Sequence, residues 1–198
     1  MRIIGPHPSI ITHQNILDFF QLRHETFVIS LGWNIPSQSK CETDQYDFPY
    51  ARFILAYSKN RCIGGLRLAP TQISNTDKCS FMLQDFITGK IETAFKSEHV
   101  TQPIKASLNT WEMTRFVSDS RKTTKLLLEQ ANQFLRQNNI DKVLTLSPVP
   151  FVRILKANGY KAIPISKEVT FEDGRSYVAI STEVKERKIP CRSYQASF

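Results

Sequence analysis

The run Ala51–Thr71, ARFILAYSKNRCIGGLRLAPT, decides the fold class. Two apolar stretches, ARFILAYS and RCIGGLRLAPT, flank a short turn at Lys59 and Asn60, which is the pattern of an antiparallel hairpin. A doubly wound parallel sheet would separate its strands by helices instead. Gly64 and Gly65 weaken the second strand and predict a close backbone approach or a bulge there.

Outward from this hairpin, helical and extended signals alternate. Upstream, Ile16, Phe19, Phe20, Arg23 and Phe27 recur at helical spacing between Asn15 and Ile29, predicting an amphipathic helix with Arg23 on or beside its buried face. The next segment, SLGWNIPSQSKCETDQYDFPY, is irregular, with Pro36 and Pro49 as breakers, and is unusually rich in acids and aromatics for a connector. Downstream, after a variable middle region, NTWEMTRFVS reads as another strand. Ser120 or Thr123 is placed to cap a helix whose Leu127, Ala131, Phe134 and Leu135 share one face, ending at Asn138 and Asn139. DKVLTLS reads as a short buried strand, PFVRILKANGY as a short helix stopped at Gly159, and KEVTFEDGRSYVAIST as a hairpin turning at Asp173 and Gly174. This order predicts an α/β three-layer sandwich, a mixed and mostly antiparallel sheet flanked by helices, spanning residues 1–198 as a single domain.

Composition narrows the function classes. With 41% hydrophobic and 22% charged residues, the 198-residue chain has ordinary globular usage. The amino-terminal stretch lacks the apolar core of a signal peptide, and no run approaches the roughly 18 apolar residues of a membrane span, so a soluble, cytoplasmic protein is expected. Cys41, Cys62, Cys79 and Cys191 show no CxxC spacing and no nearby His, which argues against zinc and against a disulfide framework. His7, His13, His24 and His99 show no ligand spacing, and His24 reads as a surface helix residue. The net charge of +8 is concentrated in residues 121–198, where 14 Lys and Arg face 7 Asp and Glu. That excess is either a solvated face or a surface for an acidic partner. No helix-turn-helix, RNP-like or zinc-finger pattern accompanies it, so nucleic acid is not the expected partner.

The strand Asn109–Val117, NTWEMTRFV, poses the chemical problem. Glu112 and Arg115 stand among Trp111, Met113, Phe116 and Val117, and each is costly to bury without a partner. The charges elsewhere in apolar context are Arg23, Arg67, Glu42, Asp44 and Asp47. Two readings are open: an ion network fixing the amino-terminal segment to the sheet, or a site. The full set, flanked by Phe27 and Trp33, favours a site, because buried ionic networks often add little net stability. In an ideal strand Glu112 and Arg115 face opposite ways unless a bulge intervenes, so Glu112 is expected to pair with another Arg.

These residues carry a resemblance. RHETFV with LGW after it, ETDQYD, GGLRLAPT and WEMTRF resemble, in order and spacing from Arg23 to Phe116, the signature blocks of the LuxI-type acyl-homoserine-lactone synthases, the bacterial autoinducer synthases. The resemblance implies a GNAT-like acyltransferase fold, S-adenosylmethionine as acceptor substrate, an acyl thioester as donor, and quorum-sensing signal as product. It implies no cofactor and no metal. The matching positions are Arg23, Phe27, Trp33, Glu42, Asp44, Asp47, Arg67, Glu112 and Arg115. Acids and aromatic faces suit the ammonium and sulfonium of S-adenosylmethionine, and Arg23 or Arg67 suits its carboxylate. Glu112 is the first candidate for the base that frees the amine, with Arg115, Arg67 and Asp47 beside it. Thr114 matches a position where the family has Ser or Thr. Ser147 falls near a family position linked to acyl-chain preference, but its neighbours Pro148 and Pro150 carry no prediction of 3-oxo donors. Thr114, Leu146, Ser147, Phe151 and Val152 are the candidate acyl-pocket residues, with Phe81, Met82, Phe86 and Phe95 as further apolar candidates.

The junction VSDSRKTTKLL holds no glycine, unlike the loop by which acetyltransferases grip the pyrophosphate of coenzyme A. Arg121, Lys122, Lys125, Arg153 and Lys156 suit an acidic carrier protein, so acyl carrier protein is favoured over acyl-CoA as donor. The alternative is a GNAT-type N-acyltransferase acting on another amine with acyl-CoA.

Overall fold

The computed structural model describes residues 1–7, 10–47, 50–73 and 81–186. Pro49, Cys79 and Cys191 lie outside the described residues. The elements in chain order are β1 (Arg2–Ile4), α1 (His13–Arg23), a π-helix (His24–Ser30), β2 (Ser37–Gln38), β3 (Cys41–Glu42), β4 (Arg52–Ser58), β5 (Arg61–Pro70) and α2 (Met82–Ile87). There follow β6 (Thr110–Ser118), α3 (Arg121–Gln137), β7 (Lys142–Pro148), α4 (Pro150–Ala157), β8 (Ala162–Pro164), β9 (Val169–Thr170) and β10 (Ser176–Glu183).

The expected hairpin is β4–β5, paired antiparallel with its turn at Lys59 in the left-handed region, φ 53°. It sits inside an eight-stranded sheet ordered β1-β4-β5-β6-β7-β10-β8, with β9 on β10. Every pairing is antiparallel except β6 with β7, so the sheet is mixed and mostly antiparallel, as the order of elements predicts. Alternation along β4 divides the layers. Phe53, Leu55 and Tyr57 pack with Phe19 and Phe20 of α1 on one face, while Ile54 and Ala56 join Leu127, Leu128 and Ala131 of α3 and Phe151 and Leu155 of α4 on the other. A third cluster, around Phe81, Leu83, Phe95, Leu144 and Ala179, packs α2 against β7 and β10.

Gly65 is a site of close approach: a Cβ there would lie 2.6 Å from Phe19 Cε2, so α1 seats on bare backbone. The predicted helix Asn15–Ile29 starts earlier, with Thr12 capping it through Asn15 N, and from His24 onward it widens to π geometry. Ser120, not Thr123, caps α3, its hydroxyl accepting from Thr123 N at 3.2 Å. The middle region contains α2, which the sequence pattern did not single out.

One pairing sets the site. β6 and β7 run parallel only from Thr110–Glu112 against Lys142–Leu144, and beyond that the two strands have no shared register. Glu112 stands where their pairing ends. On the other edge of β6 the register with β5 shifts between Gly65 and Arg67, and Arg115 takes φ 54°. This is a bulge built on a non-glycine residue in the left-handed region, a conformation of the kind that clusters at functional sites.

Candidate active site

The bulge resolves the problem posed by NTWEMTRFV. With its backbone turned at 115, Arg115 emerges on the α1 side of the sheet, where Nε and Nη2 donate to Glu42 at 3.1 and 3.0 Å. Six charged side chains then close into a ring of alternating sign. Arg23 joins Glu42 and Asp47, Glu42 joins Arg115, Arg115 joins Asp44, Asp44 joins Arg67, and Arg67 returns to Asp47. Arg23, Arg67 and Glu42 are fully buried, and Asp47 is 1% exposed.

The sequence builds this ring locally. The end of α1 carries Arg23 inward beside Phe19 and Phe20, whose rings lie 5.7 and 4.9 Å from the guanidinium carbon and shield it. In the turn after β3, Asp47 Oδ2 accepts from Asp44 N at 2.8 Å and Asp44 Oδ1 from Tyr46 N at 2.9 Å, so both carboxylates are preset by their own backbone. Arg67 Nε donates to Thr114 Oγ1 across the β5–β6 pair at 2.9 Å. Burial works against the charge on Arg23, and the hydrogen bonds it donates to Glu42 and Asp47 outweigh it, holding the guanidinium above its ordinary value. Burial likewise opposes ionisation of Glu42 and Asp44, yet Arg23 and Arg115 hold Glu42, and Arg67 and Arg115 hold Asp44, below the carboxylate range.

The ring leaves a donor and an acceptor over. Arg67 Nη2 is buried with no hydrogen-bond partner among the described residues, and Asp44 Oδ2, 2.9 Å from Arg115 Nη2, lacks hydrogen-bond alignment.

Glu112 stands apart from the ring. The expected Arg partner is not what it has: its Oε2 and Oε1 accept from the backbone N–H groups of Met82 and Leu83 at 3.0 and 2.7 Å, at the start of α2. At 2% exposure, burial pushes its carboxyl up to about 7, against those two N–H groups and Arg67. Arg115, expected beside it, is turned instead toward Glu42. Tyr46 ties α2 to the ring, its hydroxyl donating to Asp85 Oδ2 at 2.6 Å while Arg67 stacks over its ring at 5.7 Å. Tyr46 and Asp85 were not among the sequence candidates; the apolar run FMLQDFI, Phe81–Ile87, was the signal for the helix that carries Asp85.

Phe27 and Trp33 stack at 4.8 Å with a 15° angle, and Arg115 lies 5.6 Å over Phe27. The aromatic pair therefore abuts the ring, as the sequence grouping implies. His24 is half-buried, not a surface residue, and its Nδ1 has no partner among the described residues.

The acyl-pocket candidates do not gather on one wall. Thr114 serves Arg67. Leu146 packs with the Phe81 and Phe95 cluster, while Ser147 points to the opposite face of β7 and pairs with Thr145 Oγ1 at 2.9 Å. Phe151 and Val152 belong to the α3 and α4 face, Phe151 lying 5.1 Å from Phe116. Strand alternation separates them onto the two faces of the sheet. Arg121, Lys122 and Lys125 at the start of α3 and Arg153 and Lys156 on α4 are all exposed. Among the described residues no group of His, Cys, Asp and Glu is arranged to hold a metal ion, and no helix is long and apolar enough to cross a membrane.

A layered, mostly antiparallel sheet with one parallel pair that parts at a buried carboxylate is the GNAT-like fold, here carrying a charged ring on its α1 side. Residues 8–188 match the autoinducer synthase family, and the chain belongs to that family. The acyl-homoserine-lactone synthase of Pseudomonas chlororaphis is 32% identical over 143 residues, covering 70% of this chain and 65% of that relative, so the match spans about two thirds of its length. The acyl-homoserine-lactone synthase of Acinetobacter nosocomialis is 27% identical over 198 residues, covering 93% of this chain and 100% of that relative. Among solved structures, TofI in a ternary complex with an inhibitor and MTA superposes with a TM-score of 0.77 at 21% identity, covering 93% of this chain and 92% of TofI.

Proposed function

We propose that this chain makes an N-acyl-L-homoserine lactone, a quorum-sensing signal, from S-adenosylmethionine and an acyl thioester, working in the cytoplasm. The observation that carries the reading is the pair left over by the charged ring. Arg67 Nη2 offers a donor to a carboxylate, and Asp44 Oδ2 an acceptor to an ammonium, so the site is complementary to the amino-acid end of S-adenosylmethionine. Arg23 is fully engaged by Glu42 and Asp47, which leaves Arg67 as the carboxylate partner. Phe27 and Trp33 face the sulfonium, an interaction of roughly 0.5 to 2 kcal/mol. MTA in TofI is consistent with the product expected here, 5′-methylthioadenosine.

An α-amine with a pKa of about 8 is mostly protonated at neutral pH and must lose a proton to attack. Glu112, with its carboxyl at about 7, takes it directly or through a water. The amine nitrogen adds to the thioester carbon, and backbone N–H groups of β6 near the bulge stabilise the oxyanion. Collapse expels the carrier thiol. The bound carboxylate then attacks its own γ-carbon, the C–S bond breaks, and methylthioadenosine leaves with the lactone closed. No covalent enzyme intermediate and no cofactor enter this scheme.

Acyl carrier protein is the favoured donor. In support, the first turn of α3 is filled by side chains, with Thr123 Oγ1 donating to Asp119 and Ser118 Oγ 2.7 Å from Thr124 Oγ1, which sets a carboxylate beside the start of this helix. Incubating the protein with S-adenosylmethionine and a panel of acyl carrier protein and acyl-CoA thioesters, with lactone and methylthioadenosine followed by mass spectrometry, tests both parts. Neither product with any donor would sink the activity; turnover with acyl-CoA alone would sink the carrier assignment.

A further inference from the structure

Trp33 is held from the far end of the chain. The β9–β10 hairpin turns at Asp173 and Gly174, closed by Gly174 N donating to Phe171 O at 2.9 Å and Phe171 N to Arg175 O at 3.0 Å, with Gly174 at φ 73°. The turn aims the Asp173 carboxylate at the aromatic pair. Its Oδ2 accepts from Trp33 Nε1 at 2.8 Å and from the Tyr177 hydroxyl at 2.7 Å, and its Oδ1 from Arg175 N at 3.0 Å. Tyr177 meets the Trp33 ring edge-on at 6.2 Å, and Phe171 backs Tyr177 at 4.7 Å.

A half-buried indole on an irregular loop has many orientations available, and stacking on Phe27 alone does not set its rotation. A charge-assisted bond to the single indole N–H does. Trp33 and Asp173 lie 140 positions apart in the chain, so the bond joins two distant parts of the sequence. We propose that Asp173 is a positioning residue: it latches Trp33 over Phe27 and so completes the S-adenosylmethionine side of the site. This rests on the reading of the site given above.

The chain has two tryptophans, so in a Trp111→Phe background Trp33 is the sole indole. In that background Asp173→Ala should red-shift the Trp33 emission and weaken S-adenosylmethionine binding about tenfold, the loss expected for one hydrogen bond to a charged group. Asp173→Asn, which keeps an acceptor, should restore most of both, and in the unaltered enzyme KM for S-adenosylmethionine should move while kcat holds. Unchanged emission in Asp173→Ala overturns the latch, as does equal loss in the Ala and Asn variants. If the parent protein fails to bind S-adenosylmethionine, the proposed function falls instead, and the emission comparison, which needs no substrate, still decides whether Asp173 sets Trp33.

Discussion

Glu112 has opposing effects on fold and chemistry. Its raised value means that protonated Glu112 favours the fold at low pH, and this contribution is lost as pH rises through about 7. The shift from its ordinary 4.5 corresponds to about 3 kcal/mol. Glu42 and Asp44 act in the reverse sense: their contribution is present at neutral pH and is lost as pH falls through their depressed values. Glu112→Gln should therefore abolish lactone formation while becoming more stable relative to the parent as pH rises from 5 to 8, read as a widening difference in Tm. A constant difference across that range would remove the buried carboxylate from the account. Glu42→Gln should be costly in a different way, because it leaves the buried Arg23 and the partly buried Arg115 short of an opposite charge. A loss of about 3–5 kcal/mol in urea unfolding is expected. At this scale the sequence was informative. Opposite charges in apolar context identified every member of the ring, but not the partners of Glu112, since backbone N–H groups leave no mark in a residue pattern.

Elements explain what the residue pattern did not show. Gly64 and Gly65 pointed to a bulge, and the register shift falls between Gly65 and Arg67, but no residue pattern placed the left-handed turn at Arg115, whose side chain meets Glu42 and Asp44. The hairpin, α3, β7 and α4 were plain from periodicity and caps. By contrast α2 is short, and its start is held to the sheet by Glu112 as well as by its own turns. The change to π geometry at His24 was equally hidden; it follows from packing that brings Phe27 to Trp33. The seat of α1 on β5 yields a test. Gly65→Ala drives a methyl into Phe19 and should destabilise by about 1–3 kcal/mol, with activity lost in step as Arg23 is displaced; Phe19→Leu in the same chain should recover part of it. Recovery of stability without recovery of activity would mean that Arg23 is not placed through this contact.

The whole molecule is electrically uneven. The ring balances itself, so the net charge of +8 lies outside it, with the excess in residues 121–198. The exposed cations of α3 and α4 belong to the helices packed on the face opposite α1. If the donor is a carrier protein, its KM should rise several-fold between about 50 and 300 mM salt, while KM for S-adenosylmethionine changes little, because exposed charges are screened and buried ones are not. Equal salt sensitivity for both substrates would remove the basis for a carrier surface. The layer order was readable from the sequence, whereas the parting of β6 from β7 depends on register and had no local signal.

The closed ring also constrains how such a chain can change. Each of its six members answers at least two neighbours of opposite sign, so no single replacement, and no exchange of one pair, leaves every remaining charge matched. Substitutions there are coupled: a step harmful alone becomes acceptable only after several others. In the apolar clusters, by contrast, side chains of similar volume can be exchanged one at a time at modest cost. The charge circuit has to change as a unit.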